Sequence, residues 1–408
     1  MKLSCLISWP VSTPAFFSDT WRNTWLYEME SYVSDEVKNA EFKIYDGSKD
    51  KTFENFIKEI SINFYDVIFV IAPLDSMDGF EKTIHYIRIL SPSSKIFAYG
   101  HSTILHPSYF EQKDIDAYPL IGDFESAIKA YVDYINGNKD LKNIAIKKYD
   151  KWIKSDVISQ GKMVWKFINP KYLDNWDVVR LTVARGCIGN CPFCIAPVLH
   201  GSKEQRKPIH EVLDYIKKIP RRIIDNKFFE FAAPSFTYDR NWVIDFCEQI
   251  INCKINLRWR CVTRIDMLDG ELITLMAKAG CKRIGVGLET LNVKEQILIR
   301  KKINETKAKK VVECMLENDI EPLVYLMIGL KNQTYDSIIH TINTVLEWKG
   351  KPRITAYLDY EQLLYSDPLK LSLDSNMTTS NLNHFTEKER RYLISLITTS
   401  ADKDSDYI

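Results

Sequence analysis

Three cysteines, Cys187, Cys191 and Cys194, fall within eight residues of RGCIGNCPFCIAPVLHG, the stretch from Arg185 to Gly201. Thiolates are soft donors, so a cluster of them at close spacing points to a soft metal centre. The sulfurs stand at i, i+4 and i+7, the spacing of one helix face. The residues between them argue against a helix. Gly186, Gly189 and Asn190 favour turns and positive φ, and Pro192 has no amide to donate, so the backbone is suited to curl around something. Three chemistries compete for the loop. Structural cysteines would need a regular buried stripe, which a Gly- and Pro-broken segment does not offer. Structural zinc needs four closed ligands, with His200 or His210 available as the fourth. An iron–sulfur cluster takes thiolates as its usual ligands, and three of them leave one iron of a 4Fe–4S cube open to a substrate or cofactor.

The loop must be positioned by what surrounds it, and the chain reads as two series of alternating strands and helices. In residues 1–137 the runs KLSCLISW, EFKIYD, DVIFVIAP, SKIFAYG and DAYPLIG are strands separated by helical patterns. Their alternation predicts an α/β, Rossmann-like (flavodoxin-type) parallel sheet, whose ligands bind at the carboxyl ends of the strands. Residues 138–175 are a polar, lysine-rich linker. From 176 to 362 a second series begins with DVVRLTVA, the cysteine loop follows, and the strands KFFEFAAP, INLRWRCVT, RIGVGLET, EPLVYLMIGL and RITAYLDYEQ complete it. Six βα steps predict a partial (β/α)6 TIM-type barrel with all strand-following loops on one rim. Residues 363–408 form a short helical cap and a frayed tail.

Composition excludes several classes. With 408 residues, 45% of them hydrophobic, the chain can fill two ordinary cores. Lys plus Arg total 55 against 54 for Asp plus Glu, so no global field draws it to nucleic acid. The basic stretch IRKKINETKAKK reads as a solvated helix face over a buried stripe of Ala308, Val311, Val312, Met315 and Leu316. The N-terminus has no long apolar run, so no membrane span or export signal is expected and the location expected is cytoplasmic. The cysteine count of nine is odd, which fits reduced thiols; Cys5, Cys247, Cys253, Cys261, Cys281 and Cys314 read as small buried hydrophobes.

The pattern Cys187-x3-Cys191-x2-Cys194, directly after the first strand of a half-open barrel and with Phe193 before the last cysteine, resembles the signature of radical S-adenosylmethionine (SAM) enzymes. The resemblance implies that these thiolates hold a 4Fe–4S cluster, that the amine and carboxylate of SAM chelate the fourth iron, and that electron transfer cleaves the sulfonium to a 5′-deoxyadenosyl radical. It implies an electron donor such as flavodoxin or ferredoxin. GVGLET resembles the segment whose glutamate, here Glu289, contacts the cofactor, with Gly285 and Gly287 permitting close approach. RWRCVTRID sets Arg260 and Arg264 where a cation could pair with a carboxylate. FAAPSFTYD resembles a segment that contacts cofactor or substrate in relatives, with Ser235 and Thr237 as candidates, though a Ser/Thr pair beside a helix start is more often an N-cap. MIGLKNQT resembles an IGLPGET turn but departs from it at Lys331, Asn332 and Gln333.

The first domain resembles that of the cobalamin-binding subgroup through YGHSTILHPSYFEQKDIDAYPLIGDFESAI, where Gly100, His101, Gly122 and Asp123 fall. The D-x-H-x-x-G motif that supplies a histidine ligand in other cobalamin proteins is absent. CPFCIAPVLHG also resembles methylthiotransferases, but these carry three further N-terminal cysteines where this chain has only Cys5 before the loop. The expected function is cobalamin-dependent methylation of an unactivated carbon or phosphorus in a small-molecule or peptide substrate. Alternatives are radical epimerisation, cyclisation or rearrangement with a corrin-free first domain, and a non-catalytic electron-transfer or binding protein. Trp259, Tyr325, Tyr357 and Tyr360 suit either a substrate wall or core packing.

Overall fold

The computed structural model describes residues 2–7, 20–36, 41–46, 53–72, 77–113, 115, 117–119, 125, 128, 145–148, 151–154, 164–357 and 381–402. The chain divides into two compact units, Met1–Asn169 with Val198–Gly201 and Glu361–Ser375, and Pro170–Pro197 with Ser202–Tyr360 and Asn376–Ile408.

The first unit is built on β1 (Lys2–Ile7), β2 (Glu41–Tyr45), β3 (Val67–Ile71), β4 (Lys95–Tyr99) and β5 (Tyr118–Pro119), all parallel, in the order β2-β1-β3-β4-β5. This is the flavodoxin-type order, with its topological switch between β1 and β3. The sequence VIFVI of β3 is buried at every position, as a parallel strand covered on both faces must be. One face packs on the helices Phe53–Ile62 and Met77–Leu90 through Phe56, Ile60, Phe80 and Ile84. Within the lysine-rich connector the chain forms an antiparallel hairpin, β6 (Ala145–Lys148) with β7 (Lys151–Lys154), which the hydropathy pattern did not reveal. Gly122 lies outside the described residues, and of the expected last helix of this unit residues 125 and 128 are described, both helical.

The second unit holds six parallel strands in sequential order, β8 (Val178–Thr182), β11 (Phe228–Ala232), β12 (Trp259–Arg264), β13 (Cys281–Glu289), β14 (Glu321–Ile328) and β15 (Lys351–Ala356). This is the open barrel that six βα steps predict. Between β8 and β11, β9 (Ala184–Arg185) pairs antiparallel with β10 (Gln205–Arg206) and closes the base of the cysteine loop. Phe231 and Trp259 point to the helix side, where Phe236 and Phe246 meet them edge-on or tilted and Trp242 stacks on Phe246 with ring centroids 5.2 Å apart. Trp259 is 0% exposed and donates its indole N–H to the Ala279 carbonyl at 2.8 Å, so it is core rather than a substrate wall. Each such aromatic contributes about 1.5–3 kcal/mol by burial. Cys247, Cys261 and Cys281 are buried as expected, and burial pushes the Cys247 and Cys261 thiols well above the ordinary range. Cys253 is exposed, because the helix Arg240–Asn252 ends just before it.

Alternation along the strands sends the other residues to the inner face. Register aligns Arg180, Glu230, Arg260, Arg283 and Glu321 in one row across five strands. Glu230 accepts from Arg180 and from Arg260 (3.0 and 2.7 Å), and Glu321 accepts from Arg283 and Lys351. The row lies near the amino ends of the strands and satisfies its own charges, as buried ions require. The helix Glu387–Asp402 packs on β15; it includes Thr398–Asp402, which the sequence pattern assigns to a frayed tail. Among the described residues, no helix is long and apolar enough to cross a membrane.

Candidate active site

The cysteine loop leaves β9 at Gly186, whose φ of 80° turns the chain outward in a conformation that costs a side-chain-bearing residue about 1–2 kcal/mol. A turn closed by the Cys194 amide on the Cys191 carbonyl (3.1 Å) and a bond from the Gly189 amide to Cys187 Sγ (3.3 Å) then gather the three half-buried sulfurs. A Cβ on Gly189 would lie 3.1 Å from Cys187 Sγ, so glycine keeps that amide within reach of the sulfur.

Burial pushes the Cys191 and Cys194 thiols up. Lys301 and Arg264 pull Cys191 back, while the neighbouring sulfurs raise both. Three thiolates in this space repel one another and need a polycationic centre to coexist, which is the donor chemistry of a metal cluster. Among the described residues, no three His, Cys, Asp or Glu side chains converge on a point that a single ion could occupy. His210 is exposed and the His200 ring lies edge-on to Trp25 at 6.0 Å, so neither completes a zinc set.

Glu289 ends β13 at φ 69°, where the register with β14 shifts. Lys301 Nζ donates to Glu289 Oε1 at 2.7 Å and to the Gly287 carbonyl at 3.3 Å; the two charged side chains are 5% and 8% exposed. The same ammonium stands 5.8 Å from the centre of the Phe193 ring, within cation–π range of the cysteine loop. A Cβ on Gly287 would meet Glu289 Oε1 at 2.8 Å and Lys301 Nζ at 2.9 Å, and one on Gly285 would meet the Tyr325 ring at 2.7 Å. The space over both glycines is therefore filled by the protein's own side chains.

Lys301 belongs to the basic stretch that sequence reads as a solvated face, and the structure corrects that reading. The helix Val293–Leu298 stops, Arg300 adopts φ 54°, and the chain turns so that Lys301 faces inward. In the following helix Ala308, Val311, Val312 and Met315 are buried, but Leu316 is exposed. Arg300 itself reaches the cysteine loop, donating from Nη1 to Asn190 Oδ1 at 2.6 Å.

Arg264, at the rim end of β12, grips Asp266 with two bonds of 2.9 and 2.7 Å and presents Nη1 to Cys191 Sγ at 3.8 Å. Burial opposes ionisation of Asp266, but the arginine fork outweighs it and holds the carboxyl below its ordinary value. Arg260 is not brought to this loop. It stands four residues earlier on β12, about 13 Å away along the strand, and is paired with Glu230. Ser235 and Thr237 are buried on Thr263, with Oγ–Oγ1 distances of 3.0 Å for Ser235 and 2.6 Å between the two threonines. The helix cap they might have supplied comes instead from Asp239, which accepts from the Trp242 amide.

The departures from IGLPGET have a local reason. Gln333 Oε1 accepts from the Gly329 and Leu330 amides at 2.8 and 3.2 Å, and its Nε2 donates to Glu295 Oε2 at 3.0 Å. Glu295, 3% exposed, also accepts from Thr290 and Ser337, so it clasps the turn after β13 to the loop after β14. Sequence reasoning missed Lys301, Glu295 and Gln333, whose partners lie in distant segments, and Asp266, which pairs with Arg264 two residues before it.

In the first unit Gly100 follows β4 with φ 127°, and a Cβ there would lie 3.0 Å from the Ala72 carbonyl oxygen. His101 opens the next helix with its ring 4.8 Å from Trp25, edge-on. The Ser102 hydroxyl beside it is fully buried and has no hydrogen-bond partner among the described residues.

A family model, the radical SAM superfamily, matches residues 181–345. Among curated proteins, an anaerobic magnesium-protoporphyrin IX monomethyl ester cyclase of Rubrivivax gelatinosus is 27% identical over 186 residues, 45% of this chain and 33% of the relative. A bacteriochlorophyllide d C-12(1)-methyltransferase of Chlorobaculum tepidum is 24% identical over 118 residues, 28% of this chain and 25% of the relative. The chain thus matches a third or less of the length of these relatives. Among solved structures, the radical SAM methyltransferase TsrM of Kitasatospora setae, with cobalamin and a [4Fe-4S] cluster bound, aligns at TM-score 0.71 and 13% identity over 86% of this chain and 74% of its own. The cobalamin-dependent SAM radical enzyme OxsB aligns at TM-score 0.67 and 14% identity over 93% of this chain and 56% of its own. The three-thiol loop at the rim of an open six-stranded barrel and the family match agree: residues 181–345 form a radical SAM domain, which implies a 4Fe–4S cluster and SAM as cofactors.

Proposed function

We propose that this chain is a cobalamin-dependent radical SAM methyltransferase acting on an unactivated carbon or phosphorus of a peptide or natural-product intermediate. The observation that carries the reading is the pairing of the two folds in one chain. A flavodoxin-ordered sheet precedes the radical SAM barrel, and the enzymes that share both units, TsrM and OxsB, are described with cobalamin.

The cluster with SAM supplies a one-electron cleavage that yields a hydrogen-abstracting radical, and a corrin supplies a transferable methyl group. Cys187, Cys191 and Cys194 would hold three irons. Glu289, fixed by Lys301, presents its second carboxylate oxygen as an acceptor for SAM, and Phe193 covers the same ammonium from the loop side. Arg264 keeps a cationic edge toward Cys191 while Asp266 fixes its plane. Aimed into a half-buried space, these groups orient the cofactor and exclude water. Ser235 bonds Thr263, the residue before Arg264.

A corrin is compatible with the rim of the first sheet. The buried Ser102 hydroxyl, which has no partner among the described residues, could accept one from a ligand, and Gly100 lets β4 end hard against Ala72. Both sit at the carboxyl end of a strand, where ligands of such sheets bind. His101 faces Trp25 as a wall residue, and we assign it no cobalt ligation.

A second reading, ring formation by the same radical chemistry, is favoured by the cyclase name of two curated relatives at 27% and 28% identity. Anaerobic reconstitution with iron, sulfide and hydroxocobalamin followed by reduction with SAM tests both. A corrin absorption band that survives desalting, with release of 5′-deoxyadenosine and S-adenosylhomocysteine, supports methyl transfer. 5′-Deoxyadenosine without S-adenosylhomocysteine or retained corrin supports the ring-forming reading. Intact SAM under verified cluster reduction refutes both.

A further inference from the structure

The helix Val293–Leu298 is inside out. Val293 and Ile297 are 68% and 70% exposed, whereas Glu295 and Gln296 are 3% and 5% exposed. A surface helix ordinarily turns its apolar stripe inward. Burying polar side chains carries a cost that only hydrogen bonds offset, so the pattern here serves bonding rather than the burial of apolar surface.

Glu295 bonds the loop after β14, and Gln296 bonds both sides of the Glu289–Lys301 pair. Gln296 Nε2 donates at 3.2 Å to the carbonyl of Thr290, which directly follows Glu289, and Oε1 accepts from the Ile303 amide at 3.0 Å. The Gln296 carbonyl accepts from the Lys301 amide at 2.9 Å. The side-chain amide has one working orientation, because reversal would set donor on donor at Ile303 and acceptor on acceptor at Thr290. The same bracket encloses two left-handed residues, Glu289 at φ 69° and Arg300 at φ 54°. Such backbone persists only where its surroundings over-determine it, and Gln296 bonds a chain neighbour of each.

We propose that Gln296 is a positioning residue for SAM: by holding Thr290 on one side and the segment from Lys301 to Ile303 on the other, it sets where Glu289 presents its second carboxylate oxygen. It acts through the Glu289–Lys301 pair. The inference rests on the reading of Glu289 as an acceptor for SAM and goes beyond it by assigning the preorganisation of that acceptor to one buried amide. A residue that works through a pair matters to the ligand only while the pair exists, so its effect on affinity is coupled to that pair and not additive with it.

The test is equilibrium dialysis of radiolabelled SAM against the full reconstituted chain, arranged as a double-mutant cycle. Gln296→Leu removes both side-chain bonds and should weaken SAM binding about tenfold in the wild-type background. In the background Lys301→Met/Glu289→Gln, where the pair is gone, the same substitution should change affinity by less than about twofold. Gln296→Glu keeps an acceptor for Ile303 and sets an oxygen against the Thr290 carbonyl; it should show the same dependence on the pair, and it replaces the leucine variant if that chain does not fold. Equal weakening in both backgrounds means a structural role and overturns the proposal, as does an unchanged affinity in the wild-type background or a failure of both variants to fold. Glu289→Gln is measured first. If it leaves SAM affinity unchanged, the reading of Glu289 fails and takes the proposal with it, an outcome distinct from a Gln296 that has no effect where Glu289 matters.

Discussion

Replacing Lys301 by Met should cost the barrel much of its local stability and the site its affinity for SAM. Lys301 and Glu289 are 5% and 8% exposed and meet at 2.7 Å, so the variant leaves a carboxylate buried without its cation. Removing one partner of a buried pair costs about 3–5 kcal/mol. Glu289 sits at φ 69°, and release of that left-handed backbone returns about 1–2 kcal/mol. The net loss is roughly 1–4 kcal/mol, which for a domain of this size lowers Tm by roughly 2–16 °C. Hydrogen–deuterium exchange over β13 should report the loss locally, and equilibrium dialysis should report weaker SAM binding. The double variant Lys301→Met/Glu289→Gln removes both charges and should recover most of the exchange protection while binding SAM no better. A Tm shift under about 2 °C for the single variant, or a double variant less protected than the single, would refute the reasoning.

Further outcomes follow from the same geometry. Gly287→Ala should weaken SAM binding and lower Tm, because the new Cβ, 2.8 Å from Glu289 Oε1 and 2.9 Å from Lys301 Nζ, forces that pair apart; dialysis beside calorimetry checks it. Burial opposes ionisation of Glu230, but Arg180 and Arg260 outweigh it and hold the carboxyl below its ordinary value. The stability it contributes is therefore complete above the unfolded glutamate pKa of about 4.3 and is lost as pH falls through the lower folded value. Acid titration of Glu230→Gln, followed by circular dichroism, should show a shallower acid limb than wild type. Alanine at Cys187, Cys191 or Cys194 should abolish retention of iron after reconstitution, with the Mössbauer signature lost, whereas Cys253→Ala, at an exposed thiol outside the loop, should leave both unchanged.

The positions where expectation and structure part share a cause. Arg260 and Arg264 look equivalent in RWRCVTRID, yet four residues of strand separate a floor arginine paired with Glu230 from a rim arginine facing Cys191. Ser235 and Thr237 resemble a helix cap, but the helix begins later, at Asp239, and both hydroxyls turn to Thr263 on the next strand. Lys301 shares its stretch with solvated lysines, and only the left-handed Arg300 turns it inward.

Local chemistry and periodicity are written along the chain. Three thiols among glycine and proline specify a ligating loop, and two series of apolar runs broken by helical patterns specify two parallel sheets, because both signals depend only on neighbours in sequence. The apolar strand VIFVI could be nothing but covered on two faces. What tertiary structure decided is which charges meet. Glu289 with Lys301, Glu295 with Gln333 and Glu230 with two arginines are contacts across 12, 38, and 50 and 30 residues. A carboxylate finds a distant cation only after register and turns have set both into the same dry space, and no local pattern encodes that coincidence.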